Sequence, residues 1–330
     1  MRVAAFGRTE YFYKSIKAIS DHGHEVVLIG TCPVAPEYTV TEKDFMNLSK
    51  ELGCPFIFDT NINKNEYINM VQNSNADIAI SLNWLSIIGK EMITQFKYGI
   101  INAHFGDLPR YKGNATPNWA ILQAEHKIVL TLHQMSEELD SGPILIQREY
   151  PLKTDTYVAD IYRFFDDNVS EMYIQALDGL EKNIIIPRQQ VKDPFYSLRC
   201  YPRLPRDGKI DWTQSADQIA RLVRSVSQPF SGAYTFIEGE RMIIWKARAD
   251  TLPFSTVGVP GQVVERNSRT GEISVLTGFG ILVLEEIELT SLGKGKPGNI
   301  IKSLRTRLGM DIEDEILALR EEIMRLKQLL

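Results

Sequence analysis

Short apolar runs alternate with amphipathic stretches along the first hundred residues. The apolar runs occupy residues 3–6, 26–29, 55–57, 78–81 and 99–102, and the stretches with helical periodicity occupy residues 13–20, 42–52, 65–72 and 88–96. Strands that alternate regularly with helices are typical of β-α-β units. The pattern therefore predicts an α/β fold whose mostly parallel sheet has helices on both faces.

A long helix and then a change of pattern mark the end of this first domain. Residues 159–180 carry an apolar stripe at helical spacing, which predicts a core helix. After a polar connector with several prolines come a predicted helix at residues 214–226 and short strands at residues 232–237, 241–247, 261–265, 272–276 and 280–286. Short strands separated by turn residues favour a small antiparallel barrel. We predict one domain over residues 1–185, a linker over 186–199 and a β-rich domain over 200–305.

The last twenty residues have the periodicity of an amphipathic helix, which we predict over residues 310–330. Apolar residues recur at alternating steps of four and three, with charges between them: Ile312, Ile316, Leu319, Ile323, Leu326 and Leu330. This is the a/d spacing of a coiled coil. A helix docked on the body of its own chain would need a similar face, so both readings stay open. A coiled coil would make the chain a homodimer.

Length and composition indicate an ordinary globular protein of two domains. The 330 residues are 44% hydrophobic and 24% charged, and 37 Lys+Arg against 42 Asp+Glu give a net charge of −5. This balance argues against a large nucleic-acid footprint. Three cysteines without metal-like spacing imply neither a disulfide framework nor a metal site. We expect a cytoplasmic protein because neither a signal peptide nor a membrane-spanning run is evident.

Residues 101–114 carry the pattern of an active site. Asn102 and His104 end an apolar run, and the period of a strand places both on one face. Gly106, Pro109 and Gly113 follow and would break any regular element. We therefore expect an amide and an imidazole at the mouth of a strand, beneath a loop that closes over a ligand.

Three further residues receive weaker interpretations. Asp140 lies in a polar turn before Ser141 and Gly142, where an isolated aspartate is most often only a turn former. Of His126 and His133, we expect one at the surface and the other in an alternating strand, without a functional setting. The first strand is followed by Phe-Gly-Arg-Thr, so the glycine fingerprint of dinucleotide-binding folds is missing.

Taken together, these motifs resemble the formyltransferases that use 10-formyltetrahydrofolate. The resemblance combines Asn-x-His, the Leu-Pro-Arg-Tyr-x-Gly of residues 108–113 and the Leu-Asp-Ser-Gly turn of residues 139–142. Residues 203–212 and 224–233 resemble the C-terminal domain that methionyl-tRNA formyltransferases share with nucleotide-sugar N-formyltransferases. The resemblance covers most of residues 1–303. It implies a Rossmann-like domain followed by a small OB-like domain.

By this resemblance Asn102, His104 and Asp140 form the catalytic group. The resemblance also implies that 10-formyltetrahydrofolate is the formyl donor. Its pocket would be lined largely by backbone groups of two segments, which comprise Ser86, Ile87, Ile88, Ser136, Glu137, Glu138 and Leu139. Asn114 would border this pocket. It stands where some sugar-modifying relatives carry an arginine.

Formyl transfer to an amine asks for the chemistry that these three side chains offer. The amine loses a proton, and His104 suits this task because imidazole titrates near neutral pH. The amide of Asn102 can donate to the oxyanion that develops on the formyl carbon. The carboxylate of Asp140 would stabilise the imidazolium.

The acceptor amine is the open question. Phosphoribosylglycinamide is disfavoured because, by resemblance, that branch lacks the second domain. Methionyl-tRNA would need basic residues after the second strand, and Lys43 is the only base in residues 31–44. A nucleotide-linked amino sugar, a precursor of bacterial surface polysaccharide such as O-antigen, fits better; the candidate side chains for its base and pyrophosphate are Arg8, Trp84, Arg203, Arg206, Trp212, Phe230 and Lys246. Methionyl-tRNA formyltransferase is the alternative, and a non-catalytic folate-binding or scaffold protein is a second one.

Overall fold

A seven-stranded sheet forms the framework of the first part of the chain. The computed structural model describes residues 1–35, 38–251, 256–310 and 312–328. Nine strands occur in the first two hundred residues of this part of the chain: β1 (Arg2–Gly7), β2 (Glu25–Thr31), β3 (Phe56–Phe58), β4 (Ile78–Leu82), β5 (Ile100–His104), β6 (Tyr111–Gly113), β7 (Lys127–Gln134), β8 (Ile144–Pro151) and β9 (Leu198–Cys200). Their order in the large sheet is β3-β2-β1-β4-β5-β7-β8.

The first five strands of this sheet run parallel, and β7 and β8 return antiparallel to β5 and to each other. The mostly parallel sheet predicted from the alternating pattern is therefore confirmed. The helices that connect these strands are α1 (Glu10–Asp21), α2 (Glu42–Glu51), α3 (Asn65–Ser74), α4 (Lys90–Ile93), α5 (Thr116–Leu122) and α6 (Val158–Glu181). The predicted helix at 88–96 is shorter than expected, because only residues 90–93 complete helical turns.

The prediction that Gly106, Pro109 and Gly113 prevent any regular element is wrong in part. Strand β6 forms in this segment and pairs in parallel with β9, with Gly113 opposite Cys200. Gly113 adopts a positive φ of 96°, and a Cβ there would approach the carbonyl of Cys200 to less than van der Waals distance. The glycine thus permits the close pairing that the sequence pattern suggested it would disrupt.

The second half of the chain contains an antiparallel sheet of six strands. Its elements are α7 (Ala216–Val226), β10 (Ala233–Ile237), β11 (Glu240–Asp250), β12 (Val263–Arg266), β13 (Ile273–Leu276), β14 (Ile281–Leu289), β15 (Gly293–Gly295), α8 (Pro297–Ile300) and α9 (Ile312–Gln328). The strand order is β10-β11-β14-β13-β12, with β15 on β14. In the described part of the chain no ladder joins β10 to β12, so closure into an OB-like barrel stays a prediction.

The chain divides into two compact units. The first comprises Met1–Ala120, Glu125–Lys153 and Ala159–Arg203, and the second comprises Ile121–Ala124, Thr154–Val158 and Leu204–Leu330. Each unit has its own apolar core, built in the first around Phe6, Leu28 and Ile100 and in the second around Val223, Ile244 and Leu284. Within the described ranges, no helix has the length and apolar character needed to cross a bilayer.

Candidate active site

Three polar side chains meet where β5 ends. Strand β5 pairs in parallel with β4, so Asn102 lies beside Ser81 at the carboxyl edge of the sheet. On its other side β5 pairs antiparallel with β7, which places His133 opposite Asn102 and Thr131 opposite His104. Ligands of such sheets bind outside the carboxyl ends of the strands. The pairing therefore brings Asn102, His104 and His133 together at the edge where a ligand would bind.

His133 holds the amide of Asn102. The Nδ2 of Asn102 lies 3.3 Å from Nε2 of His133, and Nδ1 of His133 lies 2.9 Å from the carbonyl of Gln134. Since a carbonyl only accepts, His133 carries its proton on Nδ1, and its Nε2 accepts from Asn102. Burial lowers the pKa of His133 to about 4, although the carboxylate of Asp140 works in the opposite direction. One N–H of Asn102 is thereby fixed, and the other remains for a developing oxyanion.

His104 is oriented through its other edge. Its Nε2 donates to the carbonyl of Tyr111 at 2.6 Å, so Nδ1 is the nitrogen at which the ring can gain or lose a proton. Nδ1 lies 3.6 Å from Oδ2 of Asp140, and both side chains are about nine-tenths buried. A Cβ on Gly106 would lie 2.4 Å from Nε2 of His104. Glycine is therefore required at position 106 if the ring is to keep this orientation.

Asp140 is held by its backbone as well as by its carboxylate. Its φ is 46°, in the left-handed region, and its Oδ2 accepts from the backbone N–H of Gly113 at 2.8 Å. The Nε2 of Gln190 donates to the carbonyls of Asp140 and Gly142 at 2.9 and 2.7 Å. A Cβ on Gly142 would lie 1.9 Å from the carbonyl of Gln134. The turn is thus anchored on two sides, and its carboxylate lies 3.7 Å from Nε2 of His133 as well.

Sequence reasoning missed three residues of this cluster. His133 was expected to be an ordinary residue of an alternating strand, and instead its ring lies in the site; His126 is exposed, as expected for one of the two. Gln190 carried no signal, because it acts on Asp140 from 50 positions along the chain. Lys112 donates to Oγ of Ser141 at 2.7 Å and so ties β6 to the same turn. Only the pairing of β5 with β7 would have identified His133.

The two segments predicted to contact folate lie close together in the first unit. Residues 86–88 follow β4 at the carboxyl edge. Residues 136–139 follow β7, which ends at the other edge because it is antiparallel to β5, and they lead into the turn of Asp140. An ion pair of 2.8 Å joins Lys90 to Glu137 and connects the two segments. The hydroxyl of Ser86 donates to the carbonyl of Thr60, and Ile88 is buried. The exposed apolar side chains are Leu85, Ile87 and Leu139, the last of which is 48% exposed.

Asn114, the remaining residue predicted to contact folate, follows β6 directly. Its backbone N–H donates to the carbonyl of Cys200 at 3.1 Å, and its side chain is exposed. The amide side chain is therefore available at the border of the site, without the charge that an arginine would supply.

The structure separates the residues predicted to bind a nucleotide sugar into two groups. Arg8 and Arg203 belong to the first unit. The guanidinium of Arg8 donates to the carbonyls of Asn83 and Pro33 and lies 5.6 Å from the ring of Tyr38, and Arg203 lies 4.9 Å over the ring of Trp119. Arg206, Phe230 and Lys246 belong to the second unit.

One of the predicted aromatic contacts is a core residue, and a second is partly buried against a core. Trp212 is only 6% exposed, and its Nε1 donates to Oγ1 of Thr235 within the second core. The prediction that it stacks on a nucleotide base is therefore wrong. Trp84 packs edge-on against Phe6 at a centroid distance of 6.1 Å and donates to Ser86, which makes it part of the wall of the first core.

This arrangement can move a proton and stabilise negative charge at one place. Nδ1 of His104 can accept the proton of an attacking amine, with Asp140 beside it to balance the positive ring. The amide of Asn102, fixed by His133, supplies a hydrogen-bond donor that does not ionise. These two functions suit transfer of a one-carbon acyl group to nitrogen.

Comparisons with known proteins agree with this chemistry. The family model described as formyl transferase matches residues 1–177, and the formyl transferase C-terminal domain matches residues 204–305. The methionyl-tRNA formyltransferase of Citrifermentans bemidjiense is 26% identical over 94% of this chain and 95% of its own length. Two further sequence relatives, from Thermodesulfovibrio yellowstonii and Lachnospira eligens, are also methionyl-tRNA formyltransferases.

Solved structures share the fold. The N-formyltransferase of Helicobacter canadensis, solved with folinic acid and dTDP-3-aminofucose, is 16% identical over 86% of this chain and 98% of its own, with a TM-score of 0.64. HypX of Aquifex aeolicus, solved with tetrahydrofolic acid, is 18% identical over 91% of this chain, with a TM-score of 0.58. The chain spans about half of HypX, at 47% of its length.

Proposed function

The chain belongs to the formyl transferase family, and within that family we propose that it formylates the amine of a nucleotide-linked amino sugar. The enzyme is an N-formyltransferase whose catalytic group is Asn102, His104 and Asp140. The observation that carries the choice of acceptor is the segment between β2 and α2. Its residues 32–41 contain neither lysine nor arginine.

The formyl donor in this proposal is 10-formyltetrahydrofolate. Residues 86–88 and 136–139 would hold it, and Ile87 and Leu139 fit this role because an exposed apolar side chain can cover a flat aromatic ring. When bound, the donor supplies an activated formyl group. The solved relative named for its complex with folinic acid supports the assignment.

The protein's own residues would then guide protons and charge. His104 would take the proton of the attacking amine at Nδ1 and would give it to the donor nitrogen that loses the formyl group, while Tyr111 keeps the opposite ring nitrogen engaged. Asp140 would balance the charge on the ring, and Asn102 would donate to the oxyanion. Burial of both His104 and Asp140 would exclude water from the proton transfer.

Charge supports a small acceptor over tRNA. A tRNA ligand is bound largely through phosphates, and each phosphate contact calls for a cation or another donor. The whole chain carries a net charge of −5. In the first unit, Arg8 and Arg203 each lie against an aromatic ring, a combination that suits a pyrophosphate beside a base.

Methionyl-tRNA is the second candidate acceptor. It is favoured by the sequence relatives, which match nearly the whole chain and include methionyl-tRNA formyltransferases from several bacteria. The scaffold alternative is disfavoured, because a protein without catalysis has no need for a histidine, a carboxylate and a fixed amide in one buried cluster.

A panel of acceptors distinguishes the candidates. The full-length chain is incubated with 10-formyltetrahydrofolate and, in separate reactions, with dTDP-, UDP- and GDP-linked amino sugars and with charged initiator tRNA. Mass spectrometry of the acceptor measures formylation. We expect formylation of at least one amino sugar; formylation of the tRNA alone would overturn the proposal, and no transfer to any acceptor would favour the scaffold.

A further inference from the structure

The apolar stripe of helix α9 is exposed. Four of its residues, Ile316, Leu319, Ile323 and Leu326, are 43%, 60%, 51% and 50% exposed. If the helix docked on the body of its own chain, which is the alternative reading, these residues would be buried. From this exposure, and from the charged residues on either side of the stripe, we propose that α9 pairs with α9 of a second copy as a parallel, in-register, two-stranded coiled coil.

The four residues Ile316, Leu319, Ile323 and Leu326 form the seam of this coiled coil, and their types favour two strands. With steps of three and four, Ile316 and Ile323 occupy a positions, and Leu319 and Leu326 occupy d positions. In parallel coiled coils, β-branched residues at a with leucine at d favour two strands, whereas isoleucine at both positions favours trimers and tetramers. Ile312, at the first d position, departs from this pattern, and the four positions of the two following heptads favour a dimer.

The charged residues beside the seam select the parallel direction. Both g positions are acidic, Glu315 and Glu322, and the e positions five residues further on are basic, Arg320 and Lys327. In a parallel pair, g of one helix faces e of the other, so four opposite-charge contacts form across the dimer. In an antiparallel pair, g faces g and e faces e, so contacts among these four residues would join like charges; Glu313, at the e position before them, is the one acidic e residue of the helix.

The helix also provides a matched control surface. Leu317 and Met324 occupy b positions, away from the seam, and they are 55% and 57% exposed. Because these values match those of the seam residues, substitutions at either pair disturb the folded chain to the same extent. Any difference between the two pairs therefore reports on association.

The mass of the full-length chain across micromolar concentrations tests the proposal, with sedimentation as the measurement. We expect a dimer whose dissociation constant rises at least about tenfold in the double variant Leu319→Glu, Ile323→Glu. The double variant Leu317→Glu, Met324→Glu adds the same charge and should stay dimeric. A monomeric wild-type chain, a dimer that survives the seam variant, or equal effects of both variants would each overturn the proposal.

Disulfide formation tests direction and register. Ile316→Cys and Leu326→Cys are made separately in a Cys54→Ser background, since Cys32 and Cys200 are buried. In a parallel, in-register dimer each new cysteine faces its own counterpart, so oxidation should link both variants into covalent dimers. Linking of only one variant, or of neither, would contradict the parallel arrangement even if the chain is a dimer.

Discussion

The first unit contains two clusters in which two histidines share one aspartate. At the carboxyl edge, Asp140 lies 3.6 Å from His104 and 3.7 Å from His133. At the amino end of β1, Asp178 lies 3.2 Å from His24 and 3.5 Å from His22. By distance alone, the second cluster looks better built for proton transfer. Distance between a histidine and a carboxylate therefore does not identify a catalytic pair.

The surroundings of the two carboxylates separate the clusters. Asp178 is 30% exposed and also pairs with Lys182, whose hydrogen bond lowers the pKa of Asp178. The N-terminal ammonium of Met1 contacts both His24 and Glu181 at 3.2 Å. The charges of this cluster thus neutralise one another where β1 starts. The cluster around Asp140 instead has a fixed amide, Asn102, beside it and lies where ligands bind such sheets.

The largest expected effect on turnover comes from replacing one histidine in each cluster and comparing the two variants. We expect His104→Asn to lower kcat of formyl transfer about 10²–10⁴-fold, because the group that accepts the proton is lost. The matched variant His24→Asn should keep kcat within about threefold, since its ring touches no part of the site. Steady-state turnover measures both, with circular dichroism to check folding. Near-normal turnover of His104→Asn would remove it from the catalytic group.

A smaller effect is expected at the amide that only the first cluster has. Asn102→Ala removes the donor that we propose for the oxyanion and should lower kcat about 10²–10³-fold, as loss of such a donor does elsewhere. The Michaelis constant for the acceptor should change little, because the donor acts on charge that develops during the reaction. Turnover at saturating acceptor measures the effect. A change confined to the Michaelis constant would assign Asn102 to binding.

The sequence predicted the part of the site that follows from local pattern. Asn102 and His104 are two residues apart on one strand, so their shared face follows from strand geometry alone. Asp140 came only from the family motif, since an aspartate before Ser-Gly is by itself a turn residue. The mostly parallel sheet could equally be predicted from the sequence, because strands that alternate with helices can be arranged in few ways.

What sequence reasoning missed depends on pairing between distant segments. His133 enters the site because it lies opposite Asn102 in an antiparallel pair, and a shift by one residue would send its ring to the other face. Strand β6 was missed because its partner β9 lies nearly ninety positions further on. The prediction for Trp212 is wrong for a related reason. The local sequence pattern does not specify how deeply a side chain is buried, and Trp212 lies in a core instead of on a surface that could stack on a base.

The smallest expected effect on turnover tests His133, which links the amide to the buried carboxylate. His133→Gln keeps an oxygen that can accept from Asn102, whereas His133→Leu does not. We expect the glutamine variant to retain kcat within about threefold and the leucine variant to lose about tenfold, as for a residue that positions a donor. Equal losses in both variants would indicate that the ring itself takes part in the reaction.

The same substitution has a second readout in the pH dependence of stability. Burial lowers the pKa of folded His133 to about 4, while an unfolded histidine binds its proton below about pH 6.5. Between these values the unfolded chain binds more protons, so folding stability falls as the pH falls from 6.5 toward 4. His24, whose pKa is also lowered by burial, adds a loss of the same sign.

His133→Gln removes the His133 titration and should therefore reduce the drop in unfolding free energy between pH 7 and pH 5 by about 1–3 kcal/mol. Denaturation at the two pH values measures this drop, and His24→Asn should reduce it separately. If His133→Gln left the slope of the wild type unchanged, the ring would not be held neutral, and it could not accept the hydrogen bond that fixes Asn102.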